Sequence, residues 1–279
     1  MLQEVTQDQI SKELQQDYIR GMLAIVDDYI PADPPPQDVR AWPLWERLRT
    51  HVAAILRAAD AEKIAAPTTR LMNDLGSLLM SKNIWHEAEI LYRRAWAIDA
   101  ASYGAEHPNV ARDLNNLAQL LQATNRLAEA EPLMRRALAI DEASYGAEHP
   151  NVAIRLNNLA ALLKATNRLA EAEPLMRHAL DIDEASYGAE HPDVARDLNN
   201  LAALLQATNR LAEAEPLMRR NVEILLRFFV ATGHHHPNEA QGLANYRGLL
   251  EAMDYTPERI DARLKEIAAL FGVTFGNNT

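Results

Sequence analysis

NVARDLNNLAQLLQATNRLAEAEPLMRRALAIDEASYGAEHP, residues 109–150, is followed without a gap by the same 42-residue text carrying only six substitutions, at 151–192. A third copy starts at Asp193 and holds closely as far as Arg220. A fainter copy precedes them, because Leu75, Asn83, Glu87, Ala88, Glu89, Arg93, Arg94, Ala95, Ile98 and the run from Ser102 to Pro108 stand in the same register. A fifth follows Pro237. A unit of this length buries its apolar face only against its neighbours, so the period predicts an array and not a globule closed around one core. Such arrays present a long surface, and the expected activity is recognition.

Inside one block the apolar residues recur at helical spacing twice. Leu114, Leu117, Ala118 and Leu121 mark a first helix. Asn125 reads as the start signal of a second, carrying Leu127, Ala130, Leu133, Met134, Ala137 and Ile140. Gly146 suits a left-handed helix end, and Pro150 holds His149 extended while occupying the first turn of the next helix. Pro132, Pro174 and Pro216 fall inside the second helices, where each removes a backbone hydrogen bond, and a small kink is expected there.

Composition excludes more than it selects. No apolar run approaches the roughly 18 residues of a membrane span, and MLQEVTQDQISKELQQD is too polar for a signal peptide, so a cytoplasmic location is expected. The absence of cysteine removes disulfides, thiolate nucleophiles and cysteine zinc sites. A formal net charge of -11 disfavours nucleic acid and anionic membranes as partners.

Leu114, Leu117, Ala118, Leu121, Ala130, Met134 and Ala137 match the packing positions of the tetratricopeptide repeat, and LNNLA and GAEHP at the ends of the block resemble its 42-residue variety, found in kinesin light chains and many bacterial signalling proteins. The resemblance implies an all-α, right-handed superhelix (α-solenoid) of about five helical hairpins. Its repeats would be 67–108, 109–150, 151–192, 193–237 and 238–272, with a tail at 273–279. Two further helices are expected at about 7–30 and 42–60. Residues 1–37 would be an N-terminal helix with a Pro-rich linker, and 38–66 a helical cap. The flanks LQEVTQDQIS and PPPQDVRAWPLWERLRTHVAAIL resemble the winged-helix junction of NB-ARC (STAND) signalling ATPases, and TGHHHPNEAQGLANYRGLLEAM resembles how such proteins end. No phosphate loop is present. The chain is therefore expected to be the sensor end of such a protein, with a free-standing adaptor as the alternative.

In that family the first helix of each hairpin lines the concave face. The resemblance then implies a groove formed by Arg112, Asn115, Asn116, Gln119 and Gln122, by Asn157, Asn158 and Lys164, and by Arg196, Asn199, Asn200 and Gln206. Four of the six substitutions between the blocks at 109–150 and 151–192 fall in this helix, at 154, 155, 161 and 164, as a varied binding surface over a fixed packing frame would show. Drift at solvated sites gives the same pattern. The second asparagines, Asn116, Asn158 and Asn200, are expected to pair with the backbone of an extended, acidic protein segment. Asn115, Asn157 and Asn199 are open to two roles, lining the groove or bonding the neighbouring repeat.

No enzymatic motif, cofactor site or metal site is expected. His234, His235 and His236 sit where the connector histidines sit in other repeats, beside Pro237, and His107, His149 and His191 read as connectors. Glu129, Glu131, Asp141 and Glu142 recur on second helices as a solvated outer face. Ile19, Met22, Leu23, Val26 and Ile30 share a helical face whose expected fate is self-association or packing on the first repeats.

Overall fold

The computed structural model describes residues 12–30 and 34–273. Among these are twelve α-helices and no strand. They divide between two compact units, Met1–Ser144 and Tyr145–Thr279. The first contains α1 (Lys12–Tyr29), α2 (Trp42–Ala61), α3 (Thr68–Ser81), α4 (Trp85–Tyr103), α5 (Pro108–Ala123) and α6 (Leu127–Tyr145), which ends at the boundary. The second contains α7 (Pro150–Ala165), α8 (Leu169–Tyr187), α9 (Pro192–Ala207), α10 (Leu211–Thr232), α11 (Glu239–Ala252) and α12 (Pro257–Leu270). None of the described helices is long and apolar enough to cross a membrane.

The repeated residues set the helix ends. α5, α7 and α9 begin at prolines, each behind a histidine held in extended backbone. The Nδ1 of His107, His149 and His191 accepts the backbone N–H of Asn109, Asn151 and Asp193 at 3.2, 3.1 and 3.2 Å. Their rings stack on Tyr103, Tyr145 and Tyr187 with centroids 4.7, 4.6 and 4.7 Å apart. These residues are helix N-caps, a role that connector position alone did not disclose.

Two expectations about turns need correction. Asn125 does not cap α6: with Asn83, Asn167 and Asn209 it takes φ between 58 and 60°, the left-handed region that asparagine enters at low cost. The Arg126 N–H then reaches back to the Leu121 carbonyl at 2.7 Å, which ends α5. Gly146 has φ 89°, and its equivalents Gly104 and Gly188 combine positive φ with ψ 158 and 153°. That combination is extended, outside the left-handed helical region, and essentially closed to residues with a Cβ. The second helices run unbroken through Pro132, Pro174 and Pro216. Each proline is exposed, as is the alanine four residues earlier, so water can take the carbonyl that loses its partner.

Each unit builds its own core between consecutive hairpins. In the first, Val110, Ala111 and Leu114 of α5 close on Ala137 and Ile140 of α6, with Trp96 of α4 against them. In the second, Val194, Ala195 and Leu198 of α9 close on Ile224 and Leu225 of α10, with Leu180 of α8 alongside. The N-terminal helix belongs to the first of these assemblies. Ile19, Leu23 and, just past its end, Ile30 are buried, Gln16 donates to Glu62 at the C-cap of α2 at 2.9 Å, and Asp27 pairs with Arg70 of α3. Its apolar residues are therefore split: these three pack, whereas Met22 is exposed.

Candidate ligand-binding face

The face presented by the first helices is built on a polar seam that the repeat text encodes twice. In the first unit, Asn73 of α3 is buried; its amide donates to the Thr69 carbonyl at 2.8 Å and to Asp113 of α5 at 2.7 Å. Its carbonyl accepts from Asn116 at 2.8 Å. In the second unit, Asn157 of α7 donates to Asp197 of α9 at 2.8 Å. The first asparagine of a pair thus reaches the aspartate of the next first helix. Asn199 keeps the role with a different partner, accepting from Asn245 of α11 at 2.7 Å.

Beneath each seam lies a carboxyl pair crossed by an arginine. Arg112 reaches Asp99 of α4 at 3.3 Å and Asp113 at 3.4 Å. Arg196 reaches Asp183 of α8 at 3.1 Å, Asp193 at 2.8 Å and Asp197 at 3.2 Å. Burial pushes the Asp113 carboxyl up to about 7, and the adjacent Asp99 carboxylate adds to the rise. Burial likewise pushes Asp197 up to about 7, with Asp183 hydrogen-bonded beside it. Two carboxyls this close retain a proton between them in preference to holding two buried negative charges. The block at 151–192 replaces this Arg-Asp pair with Ile154 and Arg155.

These contacts redistribute the expected groove residues. Asn115 and Asn157 are 4 and 7 % exposed, so they offer a ligand almost nothing. Asn199 is half-buried and tied to α11. Arg112 and Arg196 are half-exposed, but their guanidinium groups are held by carboxylates. Asn116 is half-exposed and its amide is already donated to Asn73. Asn158 is half-exposed too, within a face whose next members are Ile154 and Ala161, both exposed. Gln119 and Gln122 on α5, and Lys164, Asn200 and Gln206 on α7 and α9, are half-exposed. Burial holds the Lys164 ammonium below the ordinary lysine value. α7, α9 and α11 lie side by side in the second unit, and Lys164, Asn200 and Gln206 stand at first-helix positions of α7 and α9 in the same register series as Ile154, Ala161 and Ala203.

The buried aspartates were missed at the sequence level. Asp141 was assigned to a solvated outer face, yet it and its equivalents Asp99 and Asp183 are at most 1 % exposed. The signal was there: Ala130, Met134, Ala137 and Asp141 are spaced by four, three and four, which sets the aspartate on the packed stripe. The histidine run separates its members. His235 meets Glu239 at 3.0 Å and stacks on Phe229, whereas His236 accepts from the Asn238 N–H at 3.2 Å. Among the described residues no three metal-ligating side chains converge. These histidines border an open cleft of about 1290 Å³ between α10, α11 and α12, walled by Phe229, Leu243, Leu264 and Phe271. Arg247 and Asp261 at its rim pair with each other at 3.1 Å.

No curated protein sequence matches the chain significantly. A Podosopora anserina protein described as a kinesin light chain with nearly identical TPR-like repeats is similar in structure, with a TM-score of 0.58 at 23% identity over 72% of this chain and 93% of that one. BtubC (BKLC) from P. vanneervenii is similar with a TM-score of 0.61 at 21% identity, over 94% of this chain and 95% of that one. At such identities the likeness shows the fold alone. The tetratricopeptide repeat model matches residues 67–143, 126–185 and 152–227, more than half of the chain, and with the repeated hairpins it establishes that this chain belongs to the tetratricopeptide repeat family.

Proposed function

We propose that the first-helix face of the second unit binds an extended segment of a partner protein. The observation that carries this reading is the contrast between paired and unpaired polar groups. Arg196, Asn157 and Asn199 are used up in holding the hairpins together, while Lys164, Asn200 and Gln206 stand half-exposed and make no side-chain hydrogen bond or ion pair among the described residues, with the small or apolar Ile154, Ala161 and Ala203 on the same two helices. Carboxamides offer a peptide backbone both donor and acceptor, and a lysine favours a carboxylate on the bound segment. A hydrogen bond contributes only about 0.5–1.5 kcal/mol net, so apolar contact at Ile154 and Ala161 must supply much of the affinity. Gln119, Gln122 and Asn116 offer a smaller version of the same face in the first unit.

Selection of binders from a random peptide display library tests this. Selected sequences should be enriched in acidic residues, and Asn200→Ala with Lys164→Glu should weaken them by about tenfold or more, 1.4 kcal/mol, without changing the melting temperature. Binders indifferent to both substitutions would sink the proposal.

The cellular setting we propose is the ligand-sensing end of an NB-ARC-type signalling ATPase, a reading supported by the resemblance of the flanking runs. The packing of α1 and α2 as a hairpin against α3 favours the other reading, a free-standing adaptor. The encoding gene decides between them: a phosphate loop in the same reading frame upstream supports the sensor, and a stop codon there supports the adaptor.

A further inference from the structure

Among the described residues, the arginines that make no side-chain hydrogen bond, ion pair or ring contact are Arg47, Arg49 and Arg57, and all three stand on α2. The chain holds 39 acidic against 28 basic residues, so their shared place on one helix is a local feature and not a shortage of carboxylates. Arg49 and Arg57 line a cleft of about 420 Å³ between α2, α3 and α4 of the first unit. Leu56, Met72 and Leu75 form its buried floor, and Ile90 of α4, 55 % exposed, is its apolar wall. In the later repeats the place of Ile90 is taken by Pro132, Pro174 and Pro216, so this wall belongs to this cleft alone. α2 runs alongside α4, because Glu46 pairs with Lys82 just before α4 and Asp60 pairs with Arg94 within it. Arg49, Ala53 and Arg57 are spaced by four on one stripe, which sets a small side chain between two cations about 12 Å apart. The lining carries three arginines against two carboxylates, Asp60 and Glu87, and Asp60 is taken by Arg94 at 2.8 Å.

We propose that this cleft takes an amphipathic helix of a partner protein, in which an aliphatic or aromatic anchor is flanked by a carboxylate one turn to either side. The anchor rests on Ala53, Leu56 and Ile90, and the carboxylates meet Arg49 and Arg57, whose planar guanidinium groups suit them. Charge and spacing together select this occupant: carboxylates two turns apart on a helix are likewise about 12 Å apart. Nucleic acid does not fit, since Asp60 and Glu87 at the cleft would oppose its phosphates and only two free arginines face it. Exposed ion pairs are individually weak, so the anchor supplies most of the affinity and the arginines supply the selection. The surface lies on α2, α3 and α4 of the first unit, and so goes beyond the face assigned above to the second unit.

The probe is an alanine-based helical peptide of about 20 residues, with one leucine flanked by a glutamate one turn to either side, followed by fluorescence anisotropy at low salt. It should bind the parent chain. Arg49→Glu with Arg57→Glu should weaken it by about tenfold or more, whereas Arg47→Glu, the same charge change on α2 outside the cleft, should alter it by less than about twofold. A peptide with lysines in place of the glutamates should behave in reverse, binding the double variant in preference to the parent. Ile90→Ala should weaken the glutamate peptide, and Lys164→Glu in the second unit should not. Arg49→Gln with Arg57→Gln carries the test if the double glutamate variant fails to fold. No binding at about 1 mM peptide, equal binding of the glutamate and lysine peptides by the parent, or a loss on Arg47→Glu or Lys164→Glu as large as that on the Arg49 and Arg57 pair would overturn the proposal.

Discussion

Asp113 and Asp197 hold their protons to about 7, against an ordinary value of 3.8, chiefly because burial penalises the charged form. The folded state therefore binds more protons than the unfolded state between these values. Their contribution to stability is complete below about pH 4 and is lost as pH rises through about 7. Asp113→Asn and Asp197→Asn place a neutral donor where the shared proton sits, and each keeps an oxygen for Asn73 or Asn157. We expect the double variant to gain at least about 1.4 kcal/mol at pH 8, the worth of one pKa unit, and much less at pH 5, as read from thermal melts. A parent protein whose melting temperature is flat across this range would refute the paired-carboxyl account. At the same scale, His149→Ala removes the cap of α7 and should cost about 1 kcal/mol, which His149→Asn should largely restore in urea titrations. The left-handed asparagines and the caps stood in the sequence as GAEHP and ATNRL, but their roles were hidden there because a backbone dihedral has no letter.

Helices α5 to α9 and the start of α10 carry the repeat text closely, and most of their apolar residues at helical spacing are buried. α1 did not obey the same reading. One face of it packs through Leu23 and the Asp27–Arg70 pair, and an adjoining face remains exposed. Periodicity revealed that the helix was apolar, but how many neighbours it would have depends on where the array ends. Deleting residues 1–37 should uncover Trp45, Val52 and Leu56 of α2, all at most 2 % exposed. Hydrogen exchange in that variant should show lost protection in α2 and α3, with α7 to α10 unchanged; full protection of α2 would show that α1 is dispensable. The internal prolines give a second element-scale expectation. Pro174→Ala restores one backbone hydrogen bond on an exposed face and should stabilise by about 1–3 kcal/mol, since proline is that unfavourable relative to alanine within a helix.

Across the whole molecule, stability should be local. Leu159→Ala in α7 empties a site that is 1 % exposed and should cost about 2–5 kcal/mol. Exchange protection should fall across α7 to α9 while α3 and α4 keep theirs; simultaneous loss everywhere would show one cooperative unit. By itself the sequence determined the repeat, the hairpin, the family and the apolar packing frame of the repeats, because a period of 42 and an apolar pattern of 3.6 are properties of residue order. Only the tertiary structure decided which polar residues were left for a partner. Asn115, Asn116, Asn157, Asn199 and Asn200 are one residue type at two repeat positions, yet Asn115 and Asn157 are buried, Asn116 and Asn199 are bonded to neighbouring helices, and Asn200 is half-exposed. The difference arises because a hydrogen-bond partner lies about forty residues away in sequence and a few ångströms away in space, and only packing brings the two together.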